Sequence, residues 1–405
     1  MPKGPIYTRA PQMEPMFPTV NDSSLTDLAI EVIRQSAALS ATLHPTTRRE
    51  ISGLVRSMNS YYSNLIEGHN THPVDIERAL AENYSHNPAK RALQMESAAH
   101  VEVQRLIESR LANDADTDIC TPDFLRWIHR EFYQRLPSEF HHVKTSEGEI
   151  KVVEPGELRQ DEVTVGLHLA PGFCSLPDFL ARFHTSYGNP HLSAINKVIA
   201  AAASHHRLAW IHPFLDGNGR VIRLFTHAYL VKAQVDGHGM WTVSRGLARK
   251  RSDYLTSLAG ADNHRQGDLD GRGNLSNQGL ITFCTFFLEM ALDQIKFMSD
   301  LLDFDGLQKR IMGYVDRQTV LGELQAESGL LLREVLLRGE VPRGEASRIT
   351  GRPERTARRI LKDLLDKRLL SSETGKGAVR LALPTKVVGY YFPRLYPEGV
   401  ELGED

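Results

Sequence analysis

Residues 212–220 of this 405-residue chain hold, within nine positions, the side chains needed to bind and attack a polyphosphate. The segment reads His-Pro-Phe-Leu-Asp-Gly-Asn-Gly-Arg, and a second arginine, Arg223, follows three residues after Arg220. On a helix this spacing places both guanidinium groups on one face, where their planar forks can hold phosphate oxygens. The sequence therefore predicts an anion-binding loop that leads into a helix.

The glycines of the loop predict a backbone anion site. Gly217 and Gly219 tolerate positive φ and a close backbone approach, so successive N–H groups can face one concavity. A helix that begins near Asn218 would add its free N–H groups and the positive end of its dipole. We expect Phe214 to be the apolar plug that fixes the loop to the core.

Two other side chains supply reactive groups. Asp216 is a hard oxygen ligand, suited to a Mg²⁺ ion that bridges phosphate oxygens. His212 titrates near neutral pH and can accept a proton from an attacking hydroxyl. The alternative is a glycine-rich turn between two helices, with Asp216 as a helix cap and solvated arginines. The Asp-Gly-Asn-Gly core alone favours that alternative, whereas the full string from His212 to Arg223 favours the phosphate site.

The full string also resembles the signature of the Fic family, His-Pro-Phe-x-Asp/Glu-Gly-Asn-Gly/Lys-Arg-x-x-Arg, and every fixed position matches. The resemblance implies transfer of AMP from ATP to a Ser, Thr or Tyr hydroxyl of a protein, the chain itself included, with release of pyrophosphate. It implies that His212 is the general base and that Asp216 is the Mg²⁺ ligand. Gly217, Asn218 and Gly219 would form the anion hole, and Arg220 and Arg223 would contact the β- and γ-phosphates.

Gly219 bears on the group that is transferred. In the Doc-type kinases of the superfamily a lysine replaces this glycine, so Gly219 favours AMP transfer over phosphate transfer. Use of another nucleotide or of a phosphate donor remains an alternative.

A second motif lies upstream, at the end of a predicted helix that starts near residue 46. Apolar residues recur there at helical spacing, and Gly68 is suited to cap the helix. Glu67 is misplaced for an isolated helix, because the dipole at a helix C-terminus prefers cations. The misfit hints at a charged partner for Glu67 elsewhere in the fold.

This segment, from Ser63 to Gly68, resembles the inhibitory motif of Fic proteins, Ser/Thr-x-x-x-Glu-Gly/Asn. The resemblance implies that Glu67 pairs with Arg223 and occupies the position of the γ-phosphate, so that the enzyme inhibits itself. Some family members with this glutamate also remove AMP from the modified protein, and that activity remains an alternative.

Composition predicts an ordinary cytoplasmic protein of two or three domains. Hydrophobic residues make up 41% and charged residues 24% of the chain, and the net charge of −2 gives no general attraction to nucleic acid. The three cysteines, Cys120, Cys174 and Cys284, show no metal-binding spacing, so we expect reduced thiols. No apolar run reaches the ~18 residues of a membrane span, and no signal segment is recognised at the N-terminus.

The helical pattern predicts a mainly α fold. We expect an N-terminal helical region (1–110) that opens with a Pro-rich arm (1–22), a Fic-type catalytic core (111–300), a linker helix with a winged helix-turn-helix (301–390), and a tail (391–405). Fic and winged-helix units often pair, which makes a homodimer plausible without requiring one.

A short β-hairpin is predicted between residues 142 and 171. Residues 151–153, a Glu-Pro-Gly-Glu turn and residues 163–167 carry the strand and turn signals, and an irregular loop is the alternative. The stretch from Arg159 to Val165 resembles the flap that aligns the target in Fic proteins, with Val163, Thr164 and Val165 as the contacting residues.

Candidates for the adenine pocket lie downstream. Tyr254 occupies a segment where family members commonly carry Tyr-Tyr-x-x-Leu, and Asn263 lies in the following polar loop; a core role is the alternative for Tyr254. His205 and His206 do not form a zinc pattern with His212, because the spacing fits no zinc motif.

The C-terminal region differs in charge from the rest of the chain. Residues 341–386 hold twelve Lys or Arg and five Asp or Glu, a net charge of +7. Two predicted helices and a two-stranded wing resemble a winged helix, which implies binding of DNA through Arg355, Arg358, Arg359 and Lys362. Protein contact or dimer formation remains open, and a nucleotide-sensing transcriptional regulator is the alternative to an enzyme.

Overall fold

The computed structural model describes residues 7–19, 23–144, 148–166 and 168–397, and this part of the chain is mainly helical, as predicted. It contains sixteen α-helices and seven short strands within those ranges. None of these helices is long and apolar enough to cross a membrane. The predicted arm and tail lie partly outside the described residues.

Five helices form the N-terminal part: α1 (Ser24–Ser40), α2 (Pro45–Ile66), α3 (Pro73–Leu80), α4 (Pro88–Asn113) and α5 (Pro122–Tyr133). All but α1 begin with proline, whose fixed φ suits a first helical turn that needs no N–H donor. Thr121 caps α5, because its hydroxyl accepts the N–H of Phe124 at 3.1 Å. The helix predicted to start near residue 46 is present as α2.

Six helices complete the core: α6 (Leu176–Tyr187), α7 (Ala194–Ile211), α8 (Asn218–Lys232), α9 (Val243–Arg249), α10 (Arg251–Ala261) and α11 (Asn277–Leu302). Helix α7 is central and packs against α1, α6, α8 and α11. Residues 200–203, all alanine, are fully buried. Their small side chains let the surrounding helices approach α7 closely.

The region between α5 and α6 holds two hairpins instead of the single one predicted. Strand β1 (His142–Lys144) pairs with β2 (Ile150–Val152), and β3 (Thr164–Val165) pairs with β4 (His168–Leu169). Residues 151–153 and 163–167 therefore do not pair with each other. The prediction was wrong on this point because strand propensity does not specify the partner of a strand.

The C-terminal part contains α12 (Phe304–Val320), α13 (Ser328–Arg338), β5 (Glu340–Val341), α14 (Ala346–Thr350), α15 (Glu354–Asp366), β6 (Leu370–Ser371), β7 (Val379–Leu381) and α16 (Thr385–Tyr391). Strand β7 is central in a three-stranded antiparallel sheet of order β5-β7-β6. The sequence predicted a two-stranded wing, which corresponds to β6 and β7, and did not predict β5. The predicted winged helix agrees with this order of elements and stays a prediction.

Residues 392–397, expected to belong to a tail, pack against the N-terminal helices. Leu395 and Tyr396 are buried, and the carbonyl of Leu395 accepts the hydroxyl of Tyr62 on α2 at 2.9 Å. Arg245 on α9 donates to the carbonyl of Arg394 at 2.8 Å. The end of the described chain is thereby attached to α2 and to the core.

Candidate active site

The segment 212–217 forms a tight loop between α7 and α8. His212 ends α7 in the left-handed conformation (φ 48°, ψ 63°), and Gly217 precedes α8 with φ 76°. The Asn218 side chain closes the loop, because it accepts the N–H of Phe214 at 3.0 Å and donates to its carbonyl at 2.8 Å. Phe214 is fully buried, which confirms it as the plug of the loop.

Gly219 has a different role from Gly217. It lies inside α8 without positive φ, so tolerance of positive φ is used at Gly217 and tolerance of a close approach at Gly219. A Cβ atom at this position would lie 2.0 Å from Oε1 of Glu67. The glycine is needed in this arrangement because a carboxylate approaches the backbone.

His212 is poised as a neutral base. Burial, together with the nearby charge of Arg159, lowers its pKa to about 4. The neutral imidazole is the form that can accept a proton. Arg159 also fixes the loop, because its Nε donates to the carbonyl of His212 at 2.8 Å and its backbone N–H donates to that of Pro213 at 3.0 Å.

Asp216 is held as a carboxylate. Burial alone would raise its pKa, but Arg220 and hydrogen bonds from the Tyr133 hydroxyl and the backbone of Gly217 outweigh burial and lower the pKa. The Tyr133 hydroxyl lies 2.7 Å from Oδ2. The Asp216 side chain is 43% exposed, and Mg²⁺ commonly binds proteins through one or two carboxylates with substrate phosphates. The residues present therefore fit the predicted ion.

His129 supports this loop from beneath. Its ring stacks on Phe214 with centroids 4.1 Å apart and planes 9° apart. Nδ1 accepts the N–H of Gly156 at 2.8 Å, so Nε2 carries the proton and donates to the carbonyl of Asp216 at 3.3 Å. Burial lowers the pKa of His129 to about 4, so the imidazole stays neutral and keeps this tautomer.

The two arginines of α8 lie on one face, as predicted, and each meets a carboxylate from another helix. Arg220 forms an ion pair with Glu96 on α4 and a longer one, 3.4 Å, with Asp216. Its side chain is 11% exposed. The alternative interpretation, in which the arginines are solvated, is therefore excluded for Arg220.

Arg223 is bound by the upstream motif. Its guanidinium lies 2.5 Å from Oε1 of Glu67, and it donates to the hydroxyl and the carbonyl of Ser63 at 2.8 and 3.1 Å. Arg223 is 2% exposed and Glu67 is 34% exposed. Burial would raise the pKa of Glu67, but Arg223 outweighs burial and lowers it. Gly68 follows with φ 89° and ends α2, as the sequence predicted.

The other predicted residues lie at varying distances from the loop. The flap residues Val163, Thr164 and Val165 lie on or next to β3, and β4 is anchored beside His212 because His168 donates to the carbonyl of Trp210 at 2.8 Å. Leu167 lies outside the described residues.

Tyr254 is 4% exposed, and its hydroxyl lies 2.7 Å from Nε2 of His205, which favours a core role. Asn263 is exposed and lines a separate groove of about 850 Å³ with residues of α10 and α11. Both adenine contacts stay predictions, and the structure does not bring these two residues together.

Three residues of the site were not predicted from the sequence: Glu96, Tyr133 and His129. Arg159 was predicted only as the start of the flap, not as a contact of the loop. A signal for Glu96 was present: it falls on the buried stripe of α4, in spacing with His100, Val103 and Ile107. A carboxylate on such a stripe requires a charged partner.

Comparison with known proteins agrees with this geometry. A family model described as Fic/DOC family matches residues 119–230. The protein adenylyltransferase Fic of Drosophila erecta is 30% identical over 142 residues, which cover 33% of this chain and 29% of that protein. The D. melanogaster protein of the same name is 40% identical over 86 residues, 21% of this chain and 18% of its own length. The chain thus spans less than a third of the length of these relatives.

Two solved structures share the fold. A Fic family protein from Desulfovibrio desulfuricans G20 superposes with a TM-score of 0.53 at 17% identity, covering 90% of this chain and 98% of its own. Fic-1 from C. elegans gives a TM-score of 0.53 at 16% identity, covering 68% of this chain and 71% of its own. At these identities the likeness concerns the fold alone.

Proposed function

We propose that this chain, whose residues 119–230 form a domain of the Fic/DOC family, transfers AMP from ATP to a hydroxyl of a protein and releases pyrophosphate. The observation that carries the proposal is the geometry of the loop. A neutral histidine, a carboxylate and two arginines lie within twelve positions, in the loop before α8 and in the first turns of that helix.

In this mechanism His212 accepts the proton of the target hydroxyl as the oxygen attacks the α-phosphorus. The free N–H groups at the start of α8 face the phosphate oxygens, and Arg220 and Arg223 hold the outer phosphates. The bond between the α-phosphorus and the bridging oxygen breaks, and pyrophosphate leaves. Fixed positions and matched charges supply most of the rate enhancement in such a site.

Asp216 would hold Mg²⁺, which neutralises phosphate charge when it is bound. Tyr133 orients the Asp216 carboxylate for this purpose through its 2.7 Å hydrogen bond. Support of this kind for a ligand commonly determines how well a metal binds.

Self-inhibition is part of the proposal. Glu67 uses the guanidinium of Arg223 that the outer phosphate requires, and the carboxylate lies against the backbone of Gly219. Bound ATP must displace this contact or be held in an unproductive position. Removal of Glu67 frees Arg223, and glycine is well tolerated at the end of a helix.

The test is transfer of label from α-³²P-ATP with Mg²⁺ to the chain itself and to proteins of a cell lysate. We expect little label with the native chain, more with Glu67→Gly, and none with Glu67→Gly/His212→Ala. Glu82→Gly is the matched control, since Glu82 is exposed beyond the end of α3 with φ 58°. Transfer of label from γ-³²P-ATP would instead identify phosphate transfer, and transfer from α-³²P-UTP would identify UMP transfer.

Failure of label transfer by Glu67→Gly, despite measurable ATP binding, would contradict the proposed reaction. Incubation of purified, labelled target with the chain, in buffer free of ATP and pyrophosphate, would test hydrolytic removal of AMP with water as the acceptor. Loss of label that depends on Glu67 would indicate that activity.

A second candidate function is binding of DNA through the C-terminal part. Arg355, Arg358, Arg359 and Lys362 are exposed on α15, opposite its buried stripe. The net charge of +7 in this region supports an anionic partner.

Fluorescence anisotropy with duplex DNA, over a range of salt concentrations, tests this candidate. Replacing Arg355 and Arg359 by Gln should weaken binding and reduce its salt dependence, whereas Arg333→Gln, on an exposed position of α13, should not. Equal weakening by both changes would show that binding does not depend on this face of α15, and absence of salt-dependent DNA binding would favour a protein-binding role for the C-terminal part.

A further inference from the structure

We infer that Glu96 is a positioning residue that fixes Arg220 for the outer phosphates of the nucleotide. This inference rests on the proposed function, because it takes Arg220 as a phosphate contact. Glu96 lies on α4, far from the loop in the sequence. Its side chain is 1% exposed.

Both carboxylate oxygens of Glu96 have fixed partners. Oε1 accepts from Arg220, and Oε2 lies 2.7 Å from Nδ1 of His69. His69 follows the end of α2, so the two partners come from different elements. A carboxylate held at both oxygens cannot rotate without breaking one of these contacts.

Arg220 depends on this carboxylate for its position. Its contact with Asp216 is longer, 3.4 Å, and its buried Nε has no hydrogen-bond partner among the described residues. The guanidinium lies over the ring of Phe132 at 5.3 Å. Glu96 is therefore the closer of the two carboxylates that orient Arg220.

The same contact places a counter-charge beside Arg220 in a poorly solvated place, because the side chain of Arg220 is 11% exposed and that of Glu96 is 1% exposed. A guanidinium that is already charged and oriented needs little rearrangement when phosphates arrive. Glu96 acts on the nucleotide only through Arg220.

The experiment compares binding of ATP and AMP by calorimetry in the Glu67→Gly background, where Arg223 is free. AMP lacks the outer phosphates that Arg220 would contact. We expect Glu96→Gln to weaken ATP binding about tenfold, the scale of one charge-assisted hydrogen bond, and to change AMP binding by less than about twofold.

The matched control is Glu102→Gln, which removes a carboxylate on the same helix that pairs with Arg105 at the surface. It should change neither affinity. In an Arg220→Gln background, Glu96→Gln should add no further loss for ATP, because its effect passes through Arg220. If Glu96→Gln does not fold, Glu96→Asp keeps the charge and withdraws it by one methylene, and the same pattern is expected.

Equal weakening of ATP and AMP would overturn the inference, since it would indicate general disruption. Unchanged ATP binding, or a full further loss without Arg220, would also overturn it. These binding measurements do not depend on label transfer. A chain that shows the expected binding pattern and transfers no AMP would contradict the proposed reaction and leave the role of Glu96 intact.

Discussion

Substitution of Gly219 by alanine tests the closed arrangement of the active site without replacing a charged residue. The added Cβ would lie 2.0 Å from Oε1 of Glu67, whereas an ordinary contact begins at 3.4 Å. The carboxylate must therefore retreat by about 1.4 Å or more. It is the far end of a flexible side chain, so it can move while the helix stays in place.

That displacement should weaken the ion pair with Arg223. The contact of 2.5 Å would lengthen beyond hydrogen-bonding distance. A charge-assisted hydrogen bond contributes about 1.5–3 kcal/mol, and the one-third exposure of Glu67 places the loss near the lower end. A loss of about 1.4 kcal/mol shifts the balance between closed and open arrangements tenfold.

The assay is label transfer from α-³²P-ATP by four chains: native, Gly219→Ala, Glu67→Gly and the double variant. We expect Gly219→Ala to raise transfer by about tenfold over the native chain. In the double variant the methyl group has no carboxylate to displace, so it should add nothing to Glu67→Gly. Gly260→Ala is the matched control, because Gly260 lies on α10 with nothing within 4 Å of the added Cβ.

Two results would refute the reasoning. No increase in label transfer by Gly219→Ala, together with full transfer by the double variant, would mean that the ion pair accommodates the methyl group. An inactive double variant would mean that the methyl group itself obstructs the nucleotide, and the steric route to activation would then be wrong.

The remaining predictions concern the loop and its support. Gly217→Ala should lower the free energy of unfolding by about 1–3 kcal/mol, because φ is 76° and the Cβ would lie 2.7 Å from the ring of Tyr133. Urea titration measures this loss, and it should be smaller for the control Gly68→Ala, whose Cβ would meet no atom within 4 Å. Tyr133→Phe should raise the Mg²⁺ concentration for half-maximal transfer by about tenfold, because Asp216 loses its 2.7 Å hydrogen bond; an unchanged Mg²⁺ requirement would contradict this role. Burial lowers the pKa of His100 to about 3, so the unfolded chain takes up its proton first and stability falls as pH drops from 6.5 toward 3. Denaturation at pH 7 and pH 5 should therefore show a loss about 2 kcal/mol larger for the native chain than for His100→Asn, and equal losses would contradict the assignment.

The sequence predicted the parts of the fold that depend on neighbours along the chain. Gly68 marked the end of α2, because capping involves residues within a few positions. The hairpin region was predicted in place but with the wrong pairing. The third strand of the C-terminal sheet, β5, was not predicted.

The candidate site shows the same division. The spacing of Arg220 and Arg223 on one helix was readable, and so was the misfit of Glu67. The residues themselves did not specify which carboxylate meets which arginine, and the pairing of Glu67 with Arg223 came from the family resemblance. Glu96 was not anticipated by either route.

The sequence by itself determined the chemistry of the loop, since the reactive groups lie within twelve positions, 212–223, and a turn leading into a helix brings them together. Only the tertiary structure decided what those groups touch. Glu67 and Glu96 lie 156 and 124 residues from their arginine partners. Helical periodicity predicts which face of α2 or α4 is buried, but the register at which that face meets α8 depends on the packing of the whole core.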